Sequence, residues 1–323
     1  MGQPALKKVQ FHLYEEFFEN FTSKYTRISY ESDLSKFFLY LAANFPKVSK
    51  FNQIERGQII AYRNWLSEEG GRYGRAAAPK TVCRGLSSIS SYFDYLVEKK
   101  ECDFNPVTSV KRPRHEVLKP TNALQKSQVE ELISSIDPNS ESGPLHKALL
   151  LTFFTTGLRK SEIIKLQFQD YTRINEHHVL EYRGKGGKTG QKVIHPMSVE
   201  AIEDYLSFMR AKGRGHKIGD WLFQPTRNPH NPRNLNKPLN PRTINEILDS
   251  YAKKIGLNFK ISPHSARATF IGELLEVGVD IYKVAQEVNH SSVKTTQEYD
   301  KRRKKLSDSP VHLLNFDLSK EDD

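Results

Sequence analysis

The chain has 323 residues, a formal net charge of +11 and an isoelectric point of about 9.4. Its only cysteines, Cys83 and Cys102, exclude a disulfide framework and a cysteine-rich zinc site, and they are typical of a protein of the reducing cytosol. No apolar run approaches the roughly 18 residues that a membrane span needs, and the N-terminus lacks the apolar core of a signal peptide, so we expect neither feature.

The positive charge is spread over both halves of the chain. Residues 1–118 carry 18 Lys and Arg against 13 Asp and Glu, and residues 119–323 carry 31 against 25. Two basic lobes are expected of a protein that holds one polyanion between them. The charge pattern therefore indicates a polyanionic partner, and we expect this to be double-stranded DNA.

Amphipathic helices over residues 11–44, 53–69 and 79–98 predict a compact N-terminal bundle of about four helices. Basic and hydroxyl side chains are common phosphate ligands, so one face of the last helix is a candidate DNA contact. The residues of that face are Lys80, Arg84, Ser87, Ser88 and Ser91. The alternative is that this face is merely solvated.

A linker is predicted over residues 105–122, which contain three prolines and little helical periodicity. Its basic residues include Lys111, Arg112 and Arg114, and we expect them to lie along a DNA backbone. The predicted domains are an N-terminal helical DNA-binding domain, a basic linker, a catalytic domain and a C-terminal tail. Their ranges are 1–110, 111–122, 123–306 and 307–323.

The second domain is predicted to be mainly helical with a small β-sheet, an α+β fold. Its helices begin near Ser127 and continue over residues 144–157, 160–168, 198–211 and 241–255. Two short strands, HHVLEYR and QKVIHP, are joined by the turn GKGGKTG, and three lysines are expected to point outward from this hairpin. These lysines are Lys185, Lys188 and Lys192. A P-loop is excluded because Tyr182 stands where its first glycine is required.

The stretch from residue 262 to 303 reads as three short helices that carry polar side chains. Ser262 is a good N-cap, and His264 and Arg267 project from one helical face because they are three residues apart. His290 is followed nine residues later by Tyr299. Arginine binds phosphate, histidine transfers protons near neutral pH and tyrosine can be a covalent nucleophile, so a phosphodiester site is predicted. The alternative is a helical core with scattered polar groups.

Together these motifs resemble the tyrosine recombinases of the phage integrase family. The resemblance rests on Gly157-Leu158-Arg159, a lysine in a glycine-rich hairpin, His-x-x-Arg, and the His290 and Tyr299 pair. Two positions depart from the family pattern. Ala268 replaces a second histidine, and Val288-Asn289 replaces Leu-Gly before the last histidine.

The resemblance implies a role for each matching residue. Arg159 and Arg267 would hold the scissile phosphate, with Glu162 supporting the site from behind, and Tyr299 would be the nucleophile. His264 would assist proton transfer, and His290 would hydrogen-bond a phosphate oxygen. The general acid for the leaving 5′ oxygen would be Lys185, with Lys188 as the alternative.

The implied activity is site-specific DNA recombination through a covalent 3′-phosphotyrosine and a Holliday junction, with no metal, nucleotide or other cofactor. The implied assembly is a tetramer on two DNA sites and a monomer or weak oligomer in free solution. An apolar tail containing Val311, Leu313, Leu314 and Phe316 is expected to dock on a neighbouring subunit; the alternative is that it folds back on its own domain or is disordered. The implied location is the cytosol or nucleoid of a prokaryote. Two other functions stay open: DNA relaxation by a type IB topoisomerase, and regulation by a DNA-binding protein without catalysis.

Overall fold

The computed structural model describes residues 13–114, 121–184, 187, 189–227, 235–300, 311 and 314. The chain divides into two compact units, Met1–Leu118 and Lys119–Asp323. In the described ranges, no helix has the length and apolar character that crossing a membrane requires.

The first unit is a helical bundle around an aromatic core. Its helices are α1 (Glu15–Glu19), α2 (Lys24–Asn44), α3 (Arg56–Glu68) and α4 (Pro79–Glu98). Ser23 caps α2 through its side chain, and Pro79 occupies the first turn of α4, where a missing N–H costs nothing. Aromatic rings that are almost wholly buried fill the centre, among them Phe37, Phe38, Tyr62, Tyr92 and Phe93. The predicted N-terminal helical bundle is confirmed.

Residues 105–113, the first part of the predicted linker, are packed on this bundle. Val107 and Val110 are buried in its core. The Lys111 carbonyl accepts a hydrogen bond from Arg63 Nη1 at 2.9 Å, and the Pro113 carbonyl accepts one from Cys83 Sγ at 3.4 Å. The first part of the predicted linker is therefore packed into the first unit, because its valines supply core surface. Residues 115–120 lie outside the described residues, and the domain boundaries stay a prediction.

The second unit is built around one apolar helix. Its first helices are α5 (Lys126–Ser134), α6 (Gly143–Thr156), α7 (Lys160–Ile163) and α8 (Pro196–Ala211). The later helices are α9 (Pro241–Lys254), α10 (Pro263–Glu276), α11 (Ile281–Glu287) and α12 (Val293–Gln297). Most residues of α6 are buried, and the helix packs against α8 and α10. A helix that is apolar on all sides must lie inside the domain, as here.

A three-stranded antiparallel sheet interrupts the helices, in the order β1 (Tyr171–Ile174), β2 (His177–Arg183) and β3 (Thr189–Val193). The predicted β2–β3 hairpin is present, whereas β1 was not predicted. The helix expected to reach residue 168 ends at Ile163, because the next residues bond to a distant segment. Leu166 accepts from Leu222 N at 2.9 Å, and Phe168 N donates to Asp220 at 2.8 Å. The predicted fold class, mainly helical with a small sheet, is confirmed.

Candidate active site

The first part of the site is the turn that follows α6. Gly157 ends this helix in the left-handed region, with φ of 60°. A Cβ atom at this position would lie 2.4 Å from Cδ1 of Phe270, which is closer than packed atoms can approach. Both the backbone conformation and the space therefore require glycine here. The turn takes the chain out of the core and places Arg159 directly before α7.

Arg159 is held by a carboxylate from the next helical turn. Its backbone N donates to Glu162 Oε2 at 2.7 Å, and its Nη1 donates to Glu162 Oε1 at 3.0 Å. Glu162 is almost fully buried, whereas the side chain of Arg159 is 35% exposed. The buried carboxylate thus fixes one edge of the guanidinium, and the other edge is accessible to a ligand.

Arg267 lies on α10 and is buried, with 3% of its surface exposed. Its Nη1 donates to the carbonyl oxygen of Gly157 at 2.6 Å, and its Nη2 donates to that of Val288. Burial, assisted by the charge of Arg159, lowers its pKa to about 10, so the guanidinium is charged at pH 7. No carboxylate of the described residues forms an ion pair with it. The site therefore holds a buried positive charge that attracts an anion.

His290 and Tyr299 lie side by side at the end of the unit. Their rings stack with centroids 6.2 Å apart and planes 18° from parallel. The Nδ1 atom of His290 is 2.9 Å from the hydroxyl of buried Thr296, which orients the imidazole. Tyr299 directly follows the short helix α12 and packs on the apolar cluster beneath α10 and α11. The nine-residue spacing thus brings a histidine onto the face of a half-buried tyrosine.

Burial and the two arginines together set the protonation of this pair. Burial, assisted by the charges of Arg267 and Arg159, lowers the pKa of His290 to about 4. Burial raises the pKa of Tyr299, while the same two guanidiniums act in the opposite direction. His290 is therefore a neutral imidazole at pH 7, able to donate one hydrogen bond, and Tyr299 is a protonated phenol.

The structure describes only one of the three other residues that were considered as catalytic groups. His264 is exposed on the first turn of α10, capped by Ser262 as predicted. Lys185 and Lys188 lie outside the described residues. The structure thus brings together Arg159, Arg267, His290 and Tyr299, each from a different segment.

Two polar side chains of the hairpin, those of Lys192 and Tyr182, form contacts that the sequence motifs did not predict. Lys192 was expected to point outward, but only 4% of it is exposed, and its ammonium pairs with Glu287. The hydroxyl of Tyr182 accepts a hydrogen bond from Asn289 Nδ2, directly before His290. Lys192 lies opposite buried Leu180 in the hairpin register, which places it on the inner face, and this register is known only from the folded structure.

In the first unit, the predicted DNA-contacting face is partly occupied by contacts within the bundle. Arg84 is half exposed and pairs with Asp33 at 2.7 Å. Ser88 is fully buried and donates to the same carboxylate at 2.9 Å, so its expected exposure is wrong. Lys80 is exposed at the start of α4.

The basic residues predicted for the linker are also exposed, and Arg112 donates to Ser87 Oγ at 2.7 Å. The others are Lys111 and Arg114. Their contacts with DNA, like those of Lys80 and Arg84, stay predictions.

The arrangement of charges favours a phosphodiester as the bound group. In the part of the chain that the structure describes, no group of three or more His, Cys, Asp or Glu side chains could hold a metal ion. Two guanidiniums and a neutral imidazole converge next to a tyrosine hydroxyl. Such groups can bind the non-bridging oxygens of a phosphate while the hydroxyl attacks phosphorus.

Two protein-family descriptions match the chain. The phage integrase family matches residues 122–305, and the N-terminal SAM-like domain of phage integrases matches residues 13–100. The first covers the unit that contains the site, and the second covers the helical bundle.

Curated relatives match over most of the chain. The tyrosine recombinase XerC of Myxococcus xanthus is 30% identical over 299 residues, 92% of this chain and 92% of that protein. The tyrosine recombinase XerD of Vibrio cholerae serotype O1 is 30% identical over 283 residues, 87% of each chain.

Solved structures share the fold. The XerH site-specific recombinase bound to palindromic difH substrate, in a post-cleavage complex, has a TM-score of 0.70 and 18% identity. That match covers 89% of this chain and 80% of the other. A lambda integrase dimer bound to a COC′ core site has a TM-score of 0.64 and 14% identity, over 90% of this chain and 75% of the other.

Proposed function

The chain belongs to the phage integrase family, and from this we propose that it is a site-specific DNA recombinase that works through a covalent tyrosine intermediate. The observation that carries the proposal is the meeting of Arg159, Arg267, His290 and Tyr299 at one point of the second unit. The family match agrees with the resemblance found in the sequence, and the geometry supports the residue roles proposed below.

The proposed reaction is a transesterification. The hydroxyl oxygen of Tyr299 forms a bond to the scissile phosphorus and loses its proton, with His264 assisting. The bond from phosphorus to the 5′ oxygen breaks, and Lys185 supplies the proton that this oxygen needs to leave. The product is a 3′-phosphotyrosine and a free 5′-hydroxyl. Attack by a 5′-hydroxyl on the phosphotyrosine reverses the step, so the bond energy is conserved and no nucleotide is consumed.

The arginines and His290 act on the phosphate. Negative charge accumulates on its non-bridging oxygens in the transition state, and fixed cationic donors stabilise it strongly in a water-poor site. Arg267 is suited to this role because its position is fixed by two backbone carbonyls. Arg159 is oriented by Glu162, and neutral His290 donates from the ring nitrogen that does not face Thr296.

We propose double-stranded DNA with specific recombination sites as the substrate, in the cytoplasm of a prokaryote. This rests on the basic charge of both halves and on relatives whose structures contain such DNA. Four subunits on two sites would exchange one pair of strands at a time through a Holliday junction. A free 5′-hydroxyl from one site would then attack the phosphotyrosine of the other.

The proposal is tested by covalent capture of DNA. The wild-type protein is incubated in EDTA with fragmented genomic DNA, denatured and digested with protease, and the peptide-bound fragments are sequenced to define the site. Labelled duplex with that site should then give a covalent band on a denaturing gel. Y299F, which lacks only the hydroxyl, should bind the duplex equally well and give no band.

A covalent band with Y299F, or a strict need for magnesium, would refute the tyrosine mechanism. The same DNA separates the alternatives. A topoisomerase would relax a supercoiled plasmid with one site and never join two, whereas a recombinase joins strands from two sites. A DNA-binding regulator would show no difference between the wild type and Y299F.

A further inference from the structure

The end of α11 is held by three different elements at three successive residues. The carbonyl oxygen of Glu287 accepts a hydrogen bond from Lys192 Nζ of β3, and that of Val288 accepts one from Arg267. The side chain of Asn289 donates to the Tyr182 hydroxyl of β2. His290 follows at once, with its backbone N bonded to the carbonyl of Ala285 at 2.9 Å. The position of the imidazole therefore depends on these contacts.

Two of the contacts come from one face of the hairpin. In the antiparallel register, Tyr182 lies opposite Gly190 and Leu180 lies opposite Lys192. Because side chains alternate along a strand, all four positions belong to the same face. A Cβ on Gly190 would be 2.7 Å from the Tyr182 hydroxyl oxygen, so the ring lies across the hairpin at this glycine. We call Tyr182, Lys192, Glu287 and Asn289 the hairpin clasp.

Lys192 is an unusual residue for the inner face of a sheet. Burying an ammonium is costly, and proteins accept that cost only when the charge is paired and hydrogen-bonded. Lys192 Nζ lies 2.5 Å from Glu287 Oε1 and 5.7 Å from the centre of the Phe270 ring. An apolar side chain would fill the same space without any penalty, but it would make no bond to the end of α11.

We infer that Tyr182 and Lys192 are positioning residues for His290. The hairpin clasp holds the last residues of α11 against β2 and β3, and so fixes the imidazole beside Tyr299. The expected loss of catalytic rate rests on the proposed function, whereas the expected change in the position of the His290 ring does not.

The test uses K192M and Y182F. K192M removes the ammonium and keeps a side chain of similar length, and Y182F removes only a hydroxyl. K253M is the matched control for the first, because Lys253 forms a surface ion pair with Asp249 at 2.7 Å. Y251F is the control for the second, because that hydroxyl lies 3.0 Å from His146, outside the site.

The first measurement follows the His290 ring by NMR between pH 4 and 7, and it needs no catalysis. Arg267 and Arg159 face the ring together with Thr296 and Tyr299, and these groups are unchanged in all four variants. In the wild type and both controls His290 should stay neutral to about pH 4. Loss of the clasp lets the ring reach solvent, so its midpoint in K192M and Y182F should move toward the free histidine value of about 6.5. An unchanged midpoint in both would overturn the inference.

The second measurement is the single-turnover rate of covalent complex formation on a nicked duplex with the captured site. K192M and Y182F should each react roughly tenfold more slowly than the wild type, with DNA affinity within about twofold, as expected for a loss confined to the transition state. In an H290N background, K192M or Y182F should slow the reaction by less than about a further threefold. The effects of residues that act through one another are not additive.

If the rate reductions of K192M or Y182F and of H290N multiply fully in the double variants, the effect is merely structural and the inference is overturned. If K192M does not fold, Y182F and its combination with H290N decide alone. A wild type and controls that form no covalent complex would refute the proposed function, and the NMR titration would still judge the hairpin clasp.

Discussion

Arg267 donates a hydrogen bond from Nη1 to the carbonyl oxygen of Gly157 at 2.6 Å, across 110 residues of sequence. Gly157 can accept it only because its left-handed backbone directs the chain away from α6. The residue before Arg159 in the signature, Leu158, is buried behind this turn. The two arginines are thus parts of one structure, since the turn that presents Arg159 also binds Arg267.

This relationship predicts that G157A is more damaging than an ordinary glycine substitution. A left-handed alanine costs about 1 kcal/mol, and overpacking against Phe270 adds a further 1–3 kcal/mol, so the free energy of unfolding should fall by roughly 2–4 kcal/mol. G256A is the control, with φ of 70° and nothing within 4 Å of the added Cβ. It should lose only about 1 kcal/mol in urea unfolding. Equal losses in the two variants would contradict the packing explanation.

The carboxylate of Glu162 is expected to act through Arg159. E162Q keeps the shape of the side chain and removes the charge that orients the guanidinium, so covalent complex formation should slow by about tenfold or more. DNA affinity should change by less than about threefold, because most of the binding free energy comes from other phosphate contacts. E246Q, which breaks the exposed pair with Arg242, should react like the wild type. A normal rate for E162Q would remove Glu162 from the site.

The low pKa of His290 predicts a pH dependence of stability. The unfolded histidine has a pKa of about 6.5 and the folded one about 4, so only the unfolded state takes up a proton between these values. Stability is therefore full above pH 6.5 and falls as the pH drops toward 4. From pH 7 to 5, the wild type should lose about 1 kcal/mol more than H290N, after allowance for partial solvent exposure. His146 and His216, whose pKa values are also lowered, contribute equally in both proteins. Urea unfolding at pH 7 and pH 5 measures the loss, and an equal loss in the wild type and H290N would refute the shift.

The general acid is predicted to be Lys185. K185A should cleave ordinary DNA slowly, whereas a substrate with a 5′-bridging sulfur needs no proton on its leaving group and should react at close to the wild-type rate. K188A is the internal comparison and should show no such rescue. Single-turnover rates on the two substrates give the answer, and rescue of K188A alone would transfer the role to Lys188.

The apolar tail is predicted to join subunits. Val311 and Leu314 are both largely exposed, and Leu313 and Phe316 lie outside the described residues. Removing residues 307–323 should leave binding to a single site unchanged and reduce the pairing of two sites and strand exchange. Gel shifts with one site and recombination of a two-site plasmid measure these separately. Undiminished strand exchange would exclude docking of the tail on a neighbour.

Local sequence patterns were enough to predict most of the helices and the residues of the candidate site. Caps are local signals, so Ser262 begins α10 as predicted, and the left-handed Gly278 follows the end of that helix. The order of Arg159, the His-x-x-Arg motif, His290 and Tyr299 also sufficed to recognise the family.

Features that depend on distant partners could be recognised only in the folded chain. The four-residue strand β1 is defined by its pairing with β2, because strand propensity is weak without a neighbour. Ser88 is buried because Asp33 of another helix faces it. The inward position of Lys192 depends on Glu287, 95 residues away, whose carboxylate and carbonyl compensate for burying the ammonium. No local pattern contains such a partner, so only the folded chain shows which polar side chains support the site from within.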